Sequence, residues 1–134
     1  MANDIYDIAR FRFAMAQIDW TQAPLILLAY SGTPLFVPED QTIAQIDGRG
    51  QTLRIANSQA ILSKAVSAEG YLQTGNVMFD AIPIGPPVTH FIMSLSATTP
   101  ILFIDEAYDL PFEPNGLDVI ITPDWLEQRG WGRV

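Results

Sequence analysis

The chain has 134 residues with no cysteine, one histidine and a single lysine. That fits one domain with its own core and excludes disulfide frameworks, thiolate zinc sites and cysteine nucleophiles. Fifteen acids against seven bases leave a net charge of −8, so the cations needed to displace counterions from nucleic acid, or to hold an anionic membrane, are missing.

Hydrophobic residues make up 49% and charged residues only 16%, against about 25% charged in an ordinary soluble domain. Disorder is excluded on those figures. Such a surface is either rich in Thr, Ser, Gln and Asn or is covered by neighbouring proteins, and the second reading weighs more. The opening Met-Ala-Asn-Asp-Ile-Tyr-Asp carries two acids and no basic stretch, unlike a secretory leader. The longest apolar run, Pro24 to Tyr30, is far too short to span a bilayer.

Residues 4–17 are predicted as a helix. Asn3 stands as N-cap, Asp4 and Asp7 lie in the first turn, and Ile5, Ile8, Ala9, Phe13 and Ala16 recur at helical spacing. A competing reading makes Arg12 to Ile18 a first strand. Beyond Trp20 the pattern becomes short apolar runs between breakers. Leu25 to Tyr30 reads as a buried strand ended by Ser31-Gly32-Thr33-Pro34, and Leu35 to Val37 as a short extended piece. Glu39 to Ile46 suits one or two helical turns, and Asp47-Gly48-Arg49-Gly50 a hairpin tip.

Thr52 to Ala56 alternates, with Leu53 and Ile55 on one face and Arg54 on the other. Ile61 to Val66, Asn76 to Ile82 and Val88 to Ser96 are further strands, the last two joined by the proline-rich Pro83–Pro87. Ala97-Thr98-Thr99-Pro100 reads as a turn and Ile101 to Ile104 as a central strand. Asn115-Gly116 is a turn before a final strand over Leu117 to Thr122.

About seven short antiparallel strands at even spacing predict a mainly β, single-domain β-sandwich over residues 1–134. Residues 1–18 form a helical N-terminal arm and residues 123–134 an irregular C-terminal tail. Helices of 10–15 residues between strands, which a parallel α/β fold requires, are missing after residue 50.

The chemistry-bearing patterns are thin. Ile101-Leu102-Phe103-Ile104-Asp105-Glu106 ends like the magnesium-holding strand of an ATPase, but the chain has no G-x-x-x-x-G-K-[ST] phosphate cradle. A buried strand leaving a sheet accounts for it better. Asp105, Glu106, Asp109, Glu113 and Asp118 gather oxygen ligands that suit calcium, yet Leu110-Pro111-Phe112 breaks the EF-hand spacing. A solvated acidic loop is the better reading. His90 shares a strand face with Val88 and Ile92; Ser94, Ser96 and Asp80 exist as triad partners, but no G-x-S-x-G elbow does. A hydrogen-bonded core histidine is preferred. No catalytic, cofactor-binding or metal-binding residue is assigned. Trp20, Trp125 and Trp131, with Phe11 and Phe13, are the candidate partner-binding residues, aromatics being enriched at protein contacts.

The run Asp19-Trp20-Thr21-Gln22-Ala23-Pro24-Leu25-Ile26-Leu27-Leu28-Ala29-Tyr30, the stretch from Gly70-Tyr71 to Asp80 and the ending Leu117 to Trp125 resemble, in order and spacing, small tailed-bacteriophage virion proteins. The resemblance covers roughly residues 18–125 and its motifs are diffuse. It implies a β-rich, non-enzymatic structural subunit of a head (decoration or cement), neck or tail. Such a subunit is assembled in the host cytoplasm and docks on other virion proteins or on copies of itself. Two other readings are a carbohydrate-binding β-sandwich using exposed tryptophans with calcium, and a small hydrolase built on His90.

Overall fold

The computed structural model describes residues 4–66, 68, 72–105 and 110–121. Its centre is a five-stranded antiparallel sheet in the order β1-β8-β7-β2-β3. These strands are β1 (Asp4–Ile5), β2 (Leu25–Gly32), β3 (Thr52–Asn57), β7 (His90–Leu95) and β8 (Thr99–Ile104). Two smaller pairs complete it: β4 (Lys64–Val66) with β5 (Leu72–Thr74), and β6 (Val77–Phe79) with β9 (Val119–Ile121). The helices are α1 (Asp7–Ala14) and α2 (Ile43–Asp47). The chain is therefore mainly β, as its pattern of apolar runs and breakers predicts.

The continuous apolar runs exist because the sheet is covered on both faces. Leu25, Leu27 and Ala29 of β2, and Phe91 and Met93 of β7, point to one face. There they meet Val77, Phe79 and Ile121 of the β6–β9 ribbon, together with Ile61, Ile82 and Val88. The ribbon is tied to the sheet by backbone bonds at two places. Gln59 N donates to Met78 O at 2.8 Å, and Val88 and Phe112 exchange N–H···O bonds of 2.8 and 3.0 Å. On the opposite face Leu28, Tyr30, Ile92 and Phe103 lie under Ile43 and Ile46 of α2, and under Tyr6. Alternation along one strand thus sends successive side chains to two different cores.

α2 is held by a capping box. The Thr42 hydroxyl accepts from Gln45 N, and Gln45 Oε1 accepts from Thr42 N. That satisfies two backbone donors which a helix of this length otherwise leaves open.

Several predicted elements are corrected. The N-terminal helix starts at Asp7, after Tyr6, because Asp4 and Ile5 pair with Phe103 and Leu102 of β8. Strand pairing overrides the helical spacing there. Asn3 lies outside the described residues. Within this segment Tyr6 and Ala9 are fully buried and join the two cores. Asp47–Gly50 joins α2 to β3 and is not a hairpin tip. The turn after β7 centres on Ser96 and Ala97, both at positive φ, while Thr99 and Pro100 already belong to β8. Ile101 to Ile104 does lie inside the sheet, since β8 has a neighbour on each side, β7 and the two-residue β1, and is buried along its length.

Two bulges explain where face assignments fail. Register steps from Ala29↔Ala56 to Tyr30↔Arg54 and leaves Ile55 as the extra residue. Ile55 and Ala56 therefore both lean on the first core, and Leu53 is left exposed. In the same way Ile101 is the extra residue between Met93↔Leu102 and Ser94↔Pro100. A bulge is also where a sheet tolerates a proline, which fits Pro100.

Candidate functional site

His90 is the only imidazole and the natural place to look for acid–base chemistry. It is 1% exposed on β7. Its ring stacks on Tyr30 with centroids 5.3 Å apart and leans on Phe103 at 5.5 Å. Nδ1 lies 2.8 Å from Thr89 Oγ1 and Nε2 3.3 Å from Thr52 Oγ1. Two threonine hydroxyls thus take the places where a nucleophile and a carboxylate would stand in a triad. Asp80 instead accepts from Gln59 Nε2 at 2.8 Å. Burial pushes the His90 pKa down to about 4, so the ring is neutral at pH 7. The adjoining cavity, lined by Thr33, Ile46, Arg49 and Thr52, measures about 10 Å³, room for one water at most.

Around His90 the second face carries a chain of ionic and polar links. Arg49 donates both guanidinium arms to Asp40, which is buried. Tyr30 Oη donates to Asp47 Oδ1 at 2.8 Å, and Arg54 pairs with Asp47 at 3.1 Å. The hydrogen bond that Arg49 donates to Asp40 holds the Arg49 pKa above its usual value. Burial raises the Tyr30 and Tyr6 phenols, with Asp47 adding to the first and Asp40 to the second. This network locks α2 and the following turn onto the sheet. Both of its cations are paired with carboxylates of the fold at partly exposed positions.

The acidic stretch is tied down in part. Asp118 Oδ1 accepts from Ala81 N at 2.7 Å, and Asn115 Oδ1 accepts from Leu117 N at 3.1 Å. Glu106 and Asp109 lie outside the described residues. Among the described residues no three His, Asp or Glu side chains gather as metal ligands.

The predicted partner-binding residues separate into three groups. Phe11 is 56% exposed on α1. Phe13 packs partly against the first core, and Trp20 is 4% exposed with its indole N–H donated to Gln73 O at 3.1 Å. Trp20 therefore fills the end of the core and offers no face to a sugar or a neighbour. Trp125 and Trp131 lie outside the described residues.

Sequence reading missed the aliphatic surface. Nine large hydrophobic side chains are exposed among the described residues, led by Leu62 at 87% and Ile84 at 80%. Leu117 and Ile120 stand together beside an open groove of about 310 Å³ that runs from Phe112 to Ile120. Met78 lies directly opposite Ile120 on the outer side of the β6–β9 ribbon. The signal was present in the alternation of Val77-Met78-Phe79 and Val119-Ile120-Ile121, where both outward positions are apolar.

Comparison with family models, with curated proteins and with solved structures returns no match to this chain.

Proposed function

We propose that this chain is a non-enzymatic structural subunit that works by docking against other proteins, copies of itself or larger components. The assembly is a phage virion, built in the host cytoplasm. The virion part of the reading rests on the sequence resemblance alone. The docking part rests on one observation: large apolar side chains stand in water in groups, outside a core that is already sealed. Leu117 and Ile120 form one group, and Phe11 of α1 with Met15 at its C-cap another. Single exposed aliphatics are ordinary on soluble proteins. Groups of them mark surfaces that a partner covers. The low charge of the whole chain works in the same direction, since few ions separate the patches. His90 supports the non-catalytic side of the reading, because its ring is neutral, walled in and hydrogen-bonded to threonines.

Density-gradient purification of particles from the source culture, followed by quantitative mass spectrometry, tests the reading. The chain is expected in the particle band at a fixed ratio to the major shell or tail protein. Its recovery solely from the free fraction, as a monomer, overturns the proposal.

A further inference from the structure

Two exposed patches of this chain complement each other in charge and in apolar character, and the geometry points to one docking on the other between two copies. The inference rests on the assembly reading above and gives that assembly a specific contact.

The first patch is the outer side of α1 and its C-cap. Arg10, Phe11 and Met15 fall within an arc of roughly 140° on a helix of 3.6 residues per turn; all three are exposed, and the exposed Asp7 of the first turn lies within the same arc. Arg12 borders them. Arg49 and Arg54 are paired with Asp40 and Asp47, whereas among the described residues neither Arg10 nor Arg12 is in an ion pair. This helix therefore holds positive charge that is still open to a partner, on a chain whose net charge is −8.

The second patch lies on the outer side of the β6–β9 ribbon. Leu117 and Ile120 are exposed, and Met78 faces Ile120 across the ladder. Ile84 closes one end, its Cγ1 within 3.9 Å of where a side chain on Gly116 would begin. The exposed carboxylates of Glu113 and Asp118 line the same groove as Leu117 and Ile120. The patch is thus apolar with an acidic rim, and the α1 patch is apolar with two arginines against the single Asp7, a net positive charge.

No residue belongs to both patches, so the contact joins unlike surfaces: α1 of one copy on β9 of the next. Contacts of this kind close into rings or run on as filaments, which suits a repeating particle. The apolar side chains supply the area taken from water. The opposite rims set register and speed encounter.

Sedimentation velocity of the full chain at low and high salt tests this, with two full-length charge-reversal variants. One carries Arg10→Glu and Arg12→Glu, the other Glu113→Arg; Asp118 is left alone because it holds Ala81 N. The unmodified chain is expected to associate with rising concentration, less so at high salt. Each variant alone should show a dissociation constant raised at least about tenfold. An equimolar mixture of the two variants should regain association, because one contact then joins two unaltered patches and the other joins two reversed, again opposite, rims. That recovery also shows that both are folded. Phe11→Ser and Leu117→Ser, mixed in the same way, check the apolar part. A chain that stays monomeric at every concentration, association that the variants leave unchanged, or mixtures of both variant pairs that regain nothing would each overturn the contact. The assembly reading would then still be judged by the particle band.

Discussion

The two faces of the central sheet are closed by different physics. The first is sealed almost wholly by hydrocarbon: Phe91 stacks on Phe79 at 5.8 Å and meets Phe112 at a tilt at 6.2 Å, beneath the β6–β9 ribbon. The second mixes aromatic packing with the Asp40–Arg49 and Asp47–Arg54 pairs and with a buried histidine. The first face should therefore be insensitive to pH and intolerant of any lost volume. The second should tolerate small packing changes but respond to protons. One sheet can be both because alternation along a strand sends neighbours such as Phe91 and Ile92 into separate cores.

The comparison is broken most severely at Phe91. Phe91→Ala is expected to cost about 3–5 kcal/mol, as large-to-small changes in sealed aromatic cores do. Urea denaturation at pH 5 and pH 8 should give the same loss at both.

His90 sharpens the contrast. Its folded pKa of about 4 lies below the ordinary imidazole value of 6.5, so the unfolded chain binds the proton first as pH falls. Its contribution is full above pH 6.5, is lost progressively between pH 6.5 and about 4, and is constant below. The loss amounts to about 3 kcal/mol across that window. Thermal melts of the unmodified chain and of His90→Gln through that range should differ in slope by this amount. Equal slopes would mean that His90 is not kept neutral by burial.

Gly32→Ala is expected to cost about 2 kcal/mol, measured by the same denaturation. Gly32 has φ +122°, and an added Cβ would sit 2.4 Å from Gln51 O. Asp40→Asn should cost less, about 1–2 kcal/mol, because the freed Arg49 is partly exposed and regains water. The smallest effect is a gain. Ala97 is held at φ 58° in the β7–β8 turn, and Ala97→Gly should raise stability by about 0.5–1 kcal/mol.

Much of the fold was legible because β2, β7 and β8 announce themselves as apolar runs that only a doubly covered sheet can use. What escaped was set by tertiary structure. Ile55 and Ile101 carry no local mark of a bulge, yet each shifts the facing of its strand. Asp4 and Ile5 have helical neighbours and were drawn into β1 by the open edge of β8. By contrast α2 was readable more sharply than its residues were read, since Thr42 and Gln45 stand at capping-box spacing. Among the candidate contact residues, Trp20 is buried and Phe13 packs partly against the first core. Phe11 does stand in water. The aliphatic surface around Leu117 and Ile120 could be recognised only once β9 was seen to form the outer layer.

Hydroxyl-radical footprinting of the full chain, free and in its assembled fraction, addresses the docking of this surface on other proteins most directly. Phe11, Met15, Leu117 and Ile120 should react readily in dilute solution, as their exposure requires, and should be protected severalfold in the assembled fraction. Equal reactivity in both fractions would contradict the account.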